Sequence, residues 1–280
     1  MLRKIFLIAL VALFLIGATD ASAWDWPWAK KKANVLTLTG STTVLPVAQR
    51  AAEEFMETHP KVNITVRGGG SGVGIAALVD GTTDIANASR PMKTKELQSA
   101  RAKGTNPVET VIARDGIAII VHPSNPVEEI SLQSLKAIYT GEINKWSDIG
   151  GKPEPIVTVS RDVASGTFET FKTLVLGGGK TRGDALMLAS NKAVATTVAQ
   201  TPGSIGYVGL GYLSPQVKPL LVEGVSPSPQ TVSSGEYKLA RPLFMYTNGK
   251  PKGLAKELID FILSPEGSKI VSDVGFVPVK

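Results

Sequence analysis

The stretch VLTLTGSTTVLPVAQRAAEEFMETHPKVNITVRGGGSGVGIAALVDGTTDIANASRP (35–91) decides the fold. Short runs of β-branched and apolar residues alternate in it with segments whose apolar residues recur at helical spacing. The pattern predicts strands at 35–39, 62–66 and 84–88, with helices between them. This order is typical of a parallel sheet covered by helices, so the sequence predicts an α/β protein.

The first two helices of this stretch follow loops rich in glycine and hydroxyl residues. Ser41 or Thr42 is expected to cap the first helix, because either side chain can accept a hydrogen bond from an unpaired N–H. The glycine-rich loop at 68–74 is expected to lead into a short second helix.

Two long strand-like runs then divide the chain. The run at 108–121 exceeds a typical strand and is interrupted at 114–116, so we expect it to leave one lobe, turn and begin a second. A run at 237–246 returns the chain. Two α/β lobes joined by two hinge crossings are therefore predicted, with a ligand cleft between them. The expected boundaries are residues 34–115 plus 240–280 for the first lobe and 116–239 for the second.

The remaining segments are assigned by the same patterns. Helices are expected at 93–103, 131–139, from 165 onward, at 254–263 and at 267–274; strands at 156–160, 205–210 and 217–222; and a Pro/Ser-rich loop at 225–234.

The amino terminus has the pattern of a secretory signal. Arg3 and Lys4 precede an apolar run at 5–16, which is too short for a comfortable membrane span, and Ala21-Ser22-Ala23 is a small-x-small cleavage site. Residues 1–23 are therefore predicted to be a signal peptide cleaved near Ala23, and residues 24–33 a Trp- and Lys-rich tail. The mature protein is expected in a periplasm or outside the cell.

Composition excludes several classes of site. The chain has no cysteine and only two histidines, which argues against thiolate metal sites, cysteine nucleophiles and histidine-dependent triads. No catalytic residue, metal or cofactor is predicted. The net charge of +6 suits an anionic ligand, but the basic residues are scattered, and nucleic acid is not predicted as a partner.

Three short stretches place hydroxyl residues and glycines at helix starts: 40–43, 68–72 and 165–167. A helix start has unpaired N–H groups and a partial positive charge, and glycine lets a ligand approach the backbone. One such loop is usually only a cap. Three loops at strand ends, two in the first lobe and one in the second, predict a pocket for a tetrahedral oxyanion.

The donors of this pocket can be named. Arginine forks beside the loops would match two oxygens at once, and Arg161 and Arg90 are so placed. The other donors are expected to be the hydroxyls of Ser41, Thr42, Thr43, Ser71, Ser165 and Thr167 and the N–H groups of Gly72 and Gly166.

Seven motifs in order carry a resemblance. They are TGSTTVLP (39–46), RGGGSGVG (67–74), DIANASRP (84–91), IYTGEINKWSDIGG (138–151), SRDVASGT (160–167), TPGSIGYVG (201–209) and SPEGSKIVSDVGFVPV (264–279). From about Val35 to its end, the chain resembles the phosphate-binding proteins of bacterial ABC-type phosphate uptake systems. The resemblance implies a periplasmic-binding-protein fold, inorganic phosphate as ligand, and delivery to an ABC-type permease with a cytoplasmic ATPase. Such a carrier is expected to be a monomer.

The resemblance also implies which residues contact phosphate. They are Ser41, Thr42 and Thr43 in the first loop, Ser71 and Gly72 in the second, Ser89, and Arg161, Ser165, Gly166 and Thr167 in the third.

One position departs from the family. After Ser89 the best-known members carry an aspartate that accepts the phosphate proton, whereas this chain has Arg90, which cannot accept. Either Asp162 or a backbone carbonyl takes that role, or discrimination against sulfate is weaker. Arg90 could also turn away and pair with an acid, or add a second fork to the ligand; we expect it to contact the ligand.

Three alternatives stay open at this point. Arg90 motivates a receptor of the same fold for another oxyanion, such as sulfate, molybdate or tungstate. An exported phosphatase would need a nucleophile with a base or a metal, for which this composition has little material. An extracellular adhesion protein could reuse the fold.

Overall fold

Residues 34–279 are described in the computed structural model of this chain. The expected signal peptide (1–23) and tail (24–33) lie outside these described residues. Within residues 34–279, no helix combines the length and apolar content needed to cross a bilayer.

Most strands belong to one sheet. The strands are β1 Val35–Gly40, β2 Asn63–Arg67, β3 Ile85–Ala88, β4 Pro107–Val121, β5 Glu129–Ile130, β6 Val157–Arg161, β7 Leu186–Leu188, β8 Ser204–Gly209, β9 Lys218–Pro219, β10 Leu221–Val222, β11 Ala240–Asn248 and β12 Val277–Pro278. The sheet order is β2-β1-β3-β11-β4-β8-β6-β7, with β9 and β12 also paired to β4, while β5 and β10 form a separate pair.

Helices connect and cover these strands. They are α1 Leu45–Thr58, α2 Ser71–Val79, α3 Thr94–Ala102, α4 Leu132–Thr140, α5 Gly166–Leu174, α6 Asn191–Gln200, α7 Pro229–Ser234, α8 Gly253–Ile262 and α9 Pro265–Asp273. Short 3-10 helices lie at Trp146–Ile149 and Leu210–Tyr212.

The sheet has two parallel ends and an antiparallel centre. At one end β1 pairs in parallel with β2 and β3, and at the other β6 pairs in parallel with β7 and β8. Between them β11 runs antiparallel to both β3 and β4, and β4 runs antiparallel to β8. The predicted α/β class and its two crossings are confirmed. The lobe boundaries at 115/116 and 239/240 stay a prediction.

Both faces of the first parallel end are buried, as parallel strands require. Ile85 of β3 packs in the apolar cluster that also contains residues of α1, α8 and α9. The next residue, Ala86, packs in a second cluster with Ile75 and Leu78 of α2. Alternation along one strand therefore places helices on opposite sides, and α1 and α2 both begin at the carboxyl ends of strands.

Four expectations about local structure were wrong. The run at 108–121 is not interrupted at 114–116: β4 is continuous because Asp115 pairs in register with Arg241, which compensates its charge. The loop at 225–234 contains α7, which Ser228 caps together with Thr231. The run at 217–222 is split between β9 and β10. Separately from these four, the sequence analysis did not predict the helix α6 at Asn191–Gln200.

The fourth error concerns the start of α1. Its N-cap is Val44, not Ser41 or Thr42, because a preceding turn already donates the Leu45 N–H to the Ser41 carbonyl. The Ser41 hydroxyl instead accepts from the N–H groups of Thr43 and Val44, at 3.1 and 3.4 Å. The expected caps at Ser131 and Ser165 are confirmed.

Glycine is required where α2 packs on β1. A Cβ atom at Gly74 would lie 2.4 Å from the Thr39 carbonyl oxygen. Only the missing side chain lets α2 approach this closely, and that approach sets the position of Ser71 at the helix start.

We predict that Gly74→Ala lowers the free energy of unfolding by about 1–3 kcal/mol, because the added methyl group must displace backbone. Alanine otherwise stabilises a helix relative to glycine, so the sign of the change tests the close contact. Urea denaturation measures it. Gly183→Ala is the control, since a Cβ there meets nothing within 4 Å. A Gly74→Ala protein as stable as the control would contradict this account.

Candidate functional site

The three hydroxyl loops come together in one buried cluster. The Thr43 and Thr167 hydroxyls, 124 residues apart in the chain, lie 3.0 Å from each other. The Ser71 hydroxyl accepts from the Ser89 N–H at 3.0 Å. A Cβ atom on Gly166 would lie 2.3 Å from the Ser71 oxygen, so the third loop also touches the second.

The side chains of this cluster are almost fully shielded from solvent. Each of the following is at most 5 % exposed: Ser41, Thr42, Thr43, Ser71, Ser89, Arg90, Arg161, Ser165 and Thr167. Buried hydroxyls and guanidinium groups must be hydrogen-bonded, because each loses its water on burial.

Gly166 meets the sequence expectation more closely than Gly72 does. Gly166 and Thr167 are the first two residues of α5, where a helix provides no acceptor for their N–H groups. Gly72, by contrast, donates its N–H to the Ala164 carbonyl at 2.9 Å. The second and third loops bond to each other there, and the expected contact of the Gly72 N–H with a ligand stays a prediction.

Arg161 is a buried cation with one open edge, by which we mean the terminal nitrogen Nη1 of its guanidinium. Its Nε donates to the Leu188 carbonyl at 3.0 Å, and its Nη2 donates to the Ala189 carbonyl at 3.0 Å and to the Thr42 hydroxyl at 3.2 Å. Its Nη1 is buried and has no partner in the described structure. Burial lowers the pKa of Arg161 to about 10, with Tyr207 and Asp162 opposing that shift, so the group is charged at neutral pH.

Arg90 does not point to this edge. Its Nη1 and Nη2 donate to the two carboxylate oxygens of Glu96 at 2.8 and 2.7 Å. Burial opposes ionisation of Glu96, but the hydrogen bonds from Arg90 and from the Lys93 N–H outweigh it, and the pKa of Glu96 lies below its ordinary value. A bidentate carboxylate satisfies the two terminal nitrogens, which matches the alternative of pairing with an acid, and the expected ligand contact stays a prediction.

Asp162 is engaged locally. Its Oδ1 accepts from the Ala164 N–H at 3.0 Å, which shapes the loop before Ser165. Its own N–H donates to the Leu188 carbonyl at 3.2 Å.

Sequence reasoning missed a buried ion pair beside the threonines. Arg241 donates from Nη2 to Asp115 Oδ2 at 2.8 Å and from Nε to the same oxygen at 3.1 Å. The same Nη2 lies 3.1 Å from the Thr43 hydroxyl and 3.0 Å from that of Thr167. Burial raises the pKa of Asp115 above its ordinary value, against the opposing effect of Arg241. The signal was available, since a charged residue inside an apolar strand needs a partner.

Asn191 is a second missed residue. It is fully buried at the start of α6, and its Nδ2 donates to the Thr42 and Thr43 hydroxyls at 3.0 and 3.1 Å. Its Oδ1 accepts from the Gly209 N–H at 3.2 Å. The sequence signal was weak, because Asn191 follows the capping Ser190 and is easily interpreted as part of a helix start.

The arrangement has more donors than acceptors. The cations of Arg161 and Arg241 face one buried carboxylate, Asp115, and the first N–H groups of α5 add a partial positive charge. Such a surplus of desolvated donors suits an anion with several oxygens. Among residues 34–279, no group of three or more His, Asp or Glu side chains could hold a metal ion.

Comparison with known proteins agrees with this chemistry. A family model described as a PBP superfamily domain matches residues 28–266. The chain is 36 % identical to the phosphate-binding protein PstS of Bacillus subtilis, over 99 % of this chain and 94 % of that protein.

Two solved structures are similar to this one. The first is a putative phosphate ABC transporter substrate-binding protein with bound phosphate from Clostridium perfringens, with 35 % identity and a TM-score of 0.83, covering 88 % of this chain and all of that one. The second is an ABC-type phosphate transport receptor from Vibrio cholerae, with 29 % identity and a TM-score of 0.71, covering 86 % of this chain and 99 % of that one.

We predict that Asp115→Ala lowers the free energy of unfolding by about 3–5 kcal/mol, because Arg241 is left buried without its counter-charge. Asp184→Ala is the control. Asp184 also forms an ion pair, with Arg182, but its side chain is 69 % exposed. That change is expected to cost at most about 1 kcal/mol. Urea denaturation without phosphate compares them, and equal losses would contradict a special role for the buried pair.

Proposed function

The chain belongs to the phosphate-binding protein family of the PBP superfamily, and we propose that it captures inorganic phosphate outside the cytoplasm and delivers it to an ABC-type permease. The open edge of Arg161 carries this proposal: Nη1 is a buried, charged donor without a partner, beside a cluster of hydroxyls. An anion oxygen placed there would complete the arginine fork.

Phosphate would exchange its water for preset donors. Dehydrating an anion is costly unless fixed donors replace its hydration shell. The Arg161 guanidinium, the first N–H groups of α5 and the hydroxyls of Thr42, Thr43 and Ser165 are such donors, and all come from side chains or backbone that are already buried. A charge-assisted hydrogen bond contributes about 1.5–3 kcal/mol. A few of them, less the cost of ordering, support an affinity of about micromolar or better.

Binding would act at the meeting point of the two proposed lobes. Gly72 and Lys93 lie in the first lobe, Ala164 and Glu169 in the second, and they meet through an N–H···O bond of 2.9 Å and an ion pair of 2.7 Å. An exposed ion pair adds little stability by itself. We infer that the bound anion, which contacts donors from both lobes, provides most of the free energy of closure.

A carrier fits better than an enzyme. The relatives are named as binding and transport proteins. Neither histidine is engaged with the cluster: His59 stacks on Phe55 at 4.0 Å, and His122 Nδ1 bonds to the Ser124 hydroxyl. Hydrolysis of a phosphate ester needs a nucleophile with a base beside it, and neither histidine provides such a base at the cluster.

Location and partners complete the proposal. The signal pattern at 1–23 supports export, in a periplasm or outside the cell, after cleavage near Ala23. The names of the C. perfringens and V. cholerae proteins support an ABC transporter as the destination, and its permease would work with a cytoplasmic ATPase. A monomer suits a carrier that diffuses between capture and delivery.

We predict that Arg161→Gln and Ser165→Ala each weaken phosphate binding by tenfold or more, about 1.4 kcal/mol. The first change removes the charged donor with the open edge, and the second removes a hydroxyl at the start of α5. Isothermal titration calorimetry on the mature protein measures both affinities. Arg50→Gln is the control, because Arg50 is exposed and pairs with Glu54 on the outside of α1.

Two results would count against the proposal. If the wild-type protein gives no heat with phosphate up to millimolar concentration, phosphate is not its ligand. If it binds phosphate but both substitutions leave the affinity unchanged, the cleft is assigned to the wrong residues. A competing titration with sulfate tests whether another oxyanion displaces phosphate.

We predict that Arg90→Gln changes the phosphate affinity by less than about threefold, which is under 1 kcal/mol. Both terminal nitrogens of its guanidinium already donate to Glu96, so neither is left for the ligand, and only the buried Nε has no partner among the described residues. The same calorimetric titration gives the value. If Arg90→Gln weakened phosphate binding as much as Arg161→Gln does, Arg90 would have to contact the ligand.

A further inference from the structure

A buried tyrosine lies between two groups of donors in the second predicted lobe. One group is the guanidinium of Arg161, at the end of β6, and the other is the start of α5 with its first N–H groups. Tyr207 of β8 is fully buried, bonds to the backbone at the end of β6 and packs on a side chain of α5. It belongs to the motif at 201–209, which carries the family resemblance without a role for this residue.

The hydroxyl of Tyr207 provides an acceptor where the pairing of two strands ends. The register of β6 with β8 covers the first two residues of β6. The Asp162 N–H donates to the Leu188 carbonyl on the β7 side, so the N–H of Arg161 points to the β8 side, because a strand alternates with a period of two. There it donates to the Tyr207 hydroxyl at 3.2 Å, and the Ser160 hydroxyl lies 2.8 Å from the same oxygen. A buried N–H without an acceptor is costly, so this bond fixes the backbone of Arg161.

The side chain of Arg161 is held from the opposite side. Its Nε donates to the Leu188 carbonyl and its Nη2 to the Ala189 carbonyl, each at 3.0 Å. With the backbone held at β8 and the fork held beside β7, the position of the open edge is defined. Burial raises the pKa of Tyr207 to about 12, so the phenol is neutral at physiological pH and serves Arg161 as a hydrogen-bond partner, not as a counter-charge.

The ring of Tyr207 holds α5 in place. It stacks on Phe171 with the ring centroids 4.1 Å apart and the planes 4° from parallel. Phe171 lies four residues after Thr167, on the same face of α5. Tyr139 of α4 meets Phe171 edge-on at 4.7 Å and donates its hydroxyl to the Val159 carbonyl of β6 at 2.9 Å. The three rings therefore connect the start of α5 to β6.

We propose that Tyr207 is a positioning residue for anion binding, whose hydroxyl holds the backbone of Arg161 and whose ring holds α5, so that guanidinium and helix start keep the spacing that one tetrahedral anion needs. The inference rests on the proposed function of phosphate binding. Tyr207 acts through these groups and not by contact with the anion, because its hydroxyl is already bonded to Arg161 and Ser160. A binding group has to be held within about 0.5 Å of its productive position, and such precision needs supporting residues.

The test is a double-mutant cycle, measured by calorimetry with inorganic phosphate. Tyr207→Phe keeps the stacked ring but removes the hydroxyl, so the Arg161 N–H loses its acceptor. We expect this change to weaken phosphate binding at least about threefold in the wild-type background, and less than about 1.5-fold in the Arg161→Gln background, where the displaced guanidinium is already absent. A change that only loosened the fold would weaken binding by the same factor in both backgrounds.

Tyr237→Phe is the matched control. Tyr237 is also buried and donates its hydroxyl to the Ile117 carbonyl of β4 at 2.8 Å. Its substitution therefore removes the same kind of buried hydrogen bond away from Arg161 and α5. We expect it to lower the free energy of unfolding about as much as Tyr207→Phe does, by about 0.5–1.5 kcal/mol in urea denaturation, and to keep the wild-type phosphate affinity.

Ser160→Ala covers the case in which Tyr207→Phe does not fold. It removes the hydroxyl that lies 2.8 Å from the Tyr207 oxygen, and its loss of affinity should likewise vanish in the Arg161→Gln background. If Arg161→Gln binds too weakly to measure, Arg161→Lys replaces it, because a flexible ammonium does not depend on the orientation of a fork.

Two results would overturn the inference while leaving phosphate binding intact. One is an equal loss of affinity in both backgrounds, and the other is wild-type affinity in the folded Tyr207→Phe and Ser160→Ala proteins. No binding of phosphate by the wild-type protein would instead be a failure of the proposed function.

Discussion

A buried ion pair organises this molecule. Arg241 on β11 and Asp115 on β4 face each other in register where the two long strands cross between the parallel ends of the sheet. Desolvating both charges is costly, and only good geometry with further hydrogen bonds offsets that cost. The same guanidinium completes its bonding with the hydroxyls of Thr43 and Thr167. The group that stabilises the crossing of the strands therefore also orients the candidate site.

The site combines rigid scaffold with close backbone approach. Each hydroxyl loop follows a strand of the sheet, and α2 and α5 begin within the cluster. Gly74 lets α2 pack on β1, and Gly166 lets the third loop touch Ser71 and Ser89. Burial and fixed donors then make the cluster suited to one dehydrated anion, since these dipoles replace the water that the ligand loses. Membership in the phosphate-binding family agrees with that chemistry.

Charge distribution explains why two arginines near the loops behave differently. Arg90 lies next to Glu96, and a bidentate carboxylate satisfies its fork. Within residues 34–279, Arg161 donates to two carbonyls and one hydroxyl, and one terminal nitrogen keeps its capacity for a ligand. An arginine beside a loop is therefore not necessarily a ligand contact, because a carboxylate on the next helix can accept its hydrogen bonds instead.

The sequence by itself determined the α/β class, the three hydroxyl loops and the caps at Ser131 and Ser165, because these depend on local periodicity and on helix-start chemistry. Motif order also determined the family. Only the tertiary structure decided that Gly72 bonds to Ala164, that Arg90 pairs with Glu96, and that Asn191 and Arg241 converge on the threonines. Such contacts join residues up to 198 positions apart, and no local pattern specifies which partner a buried donor meets.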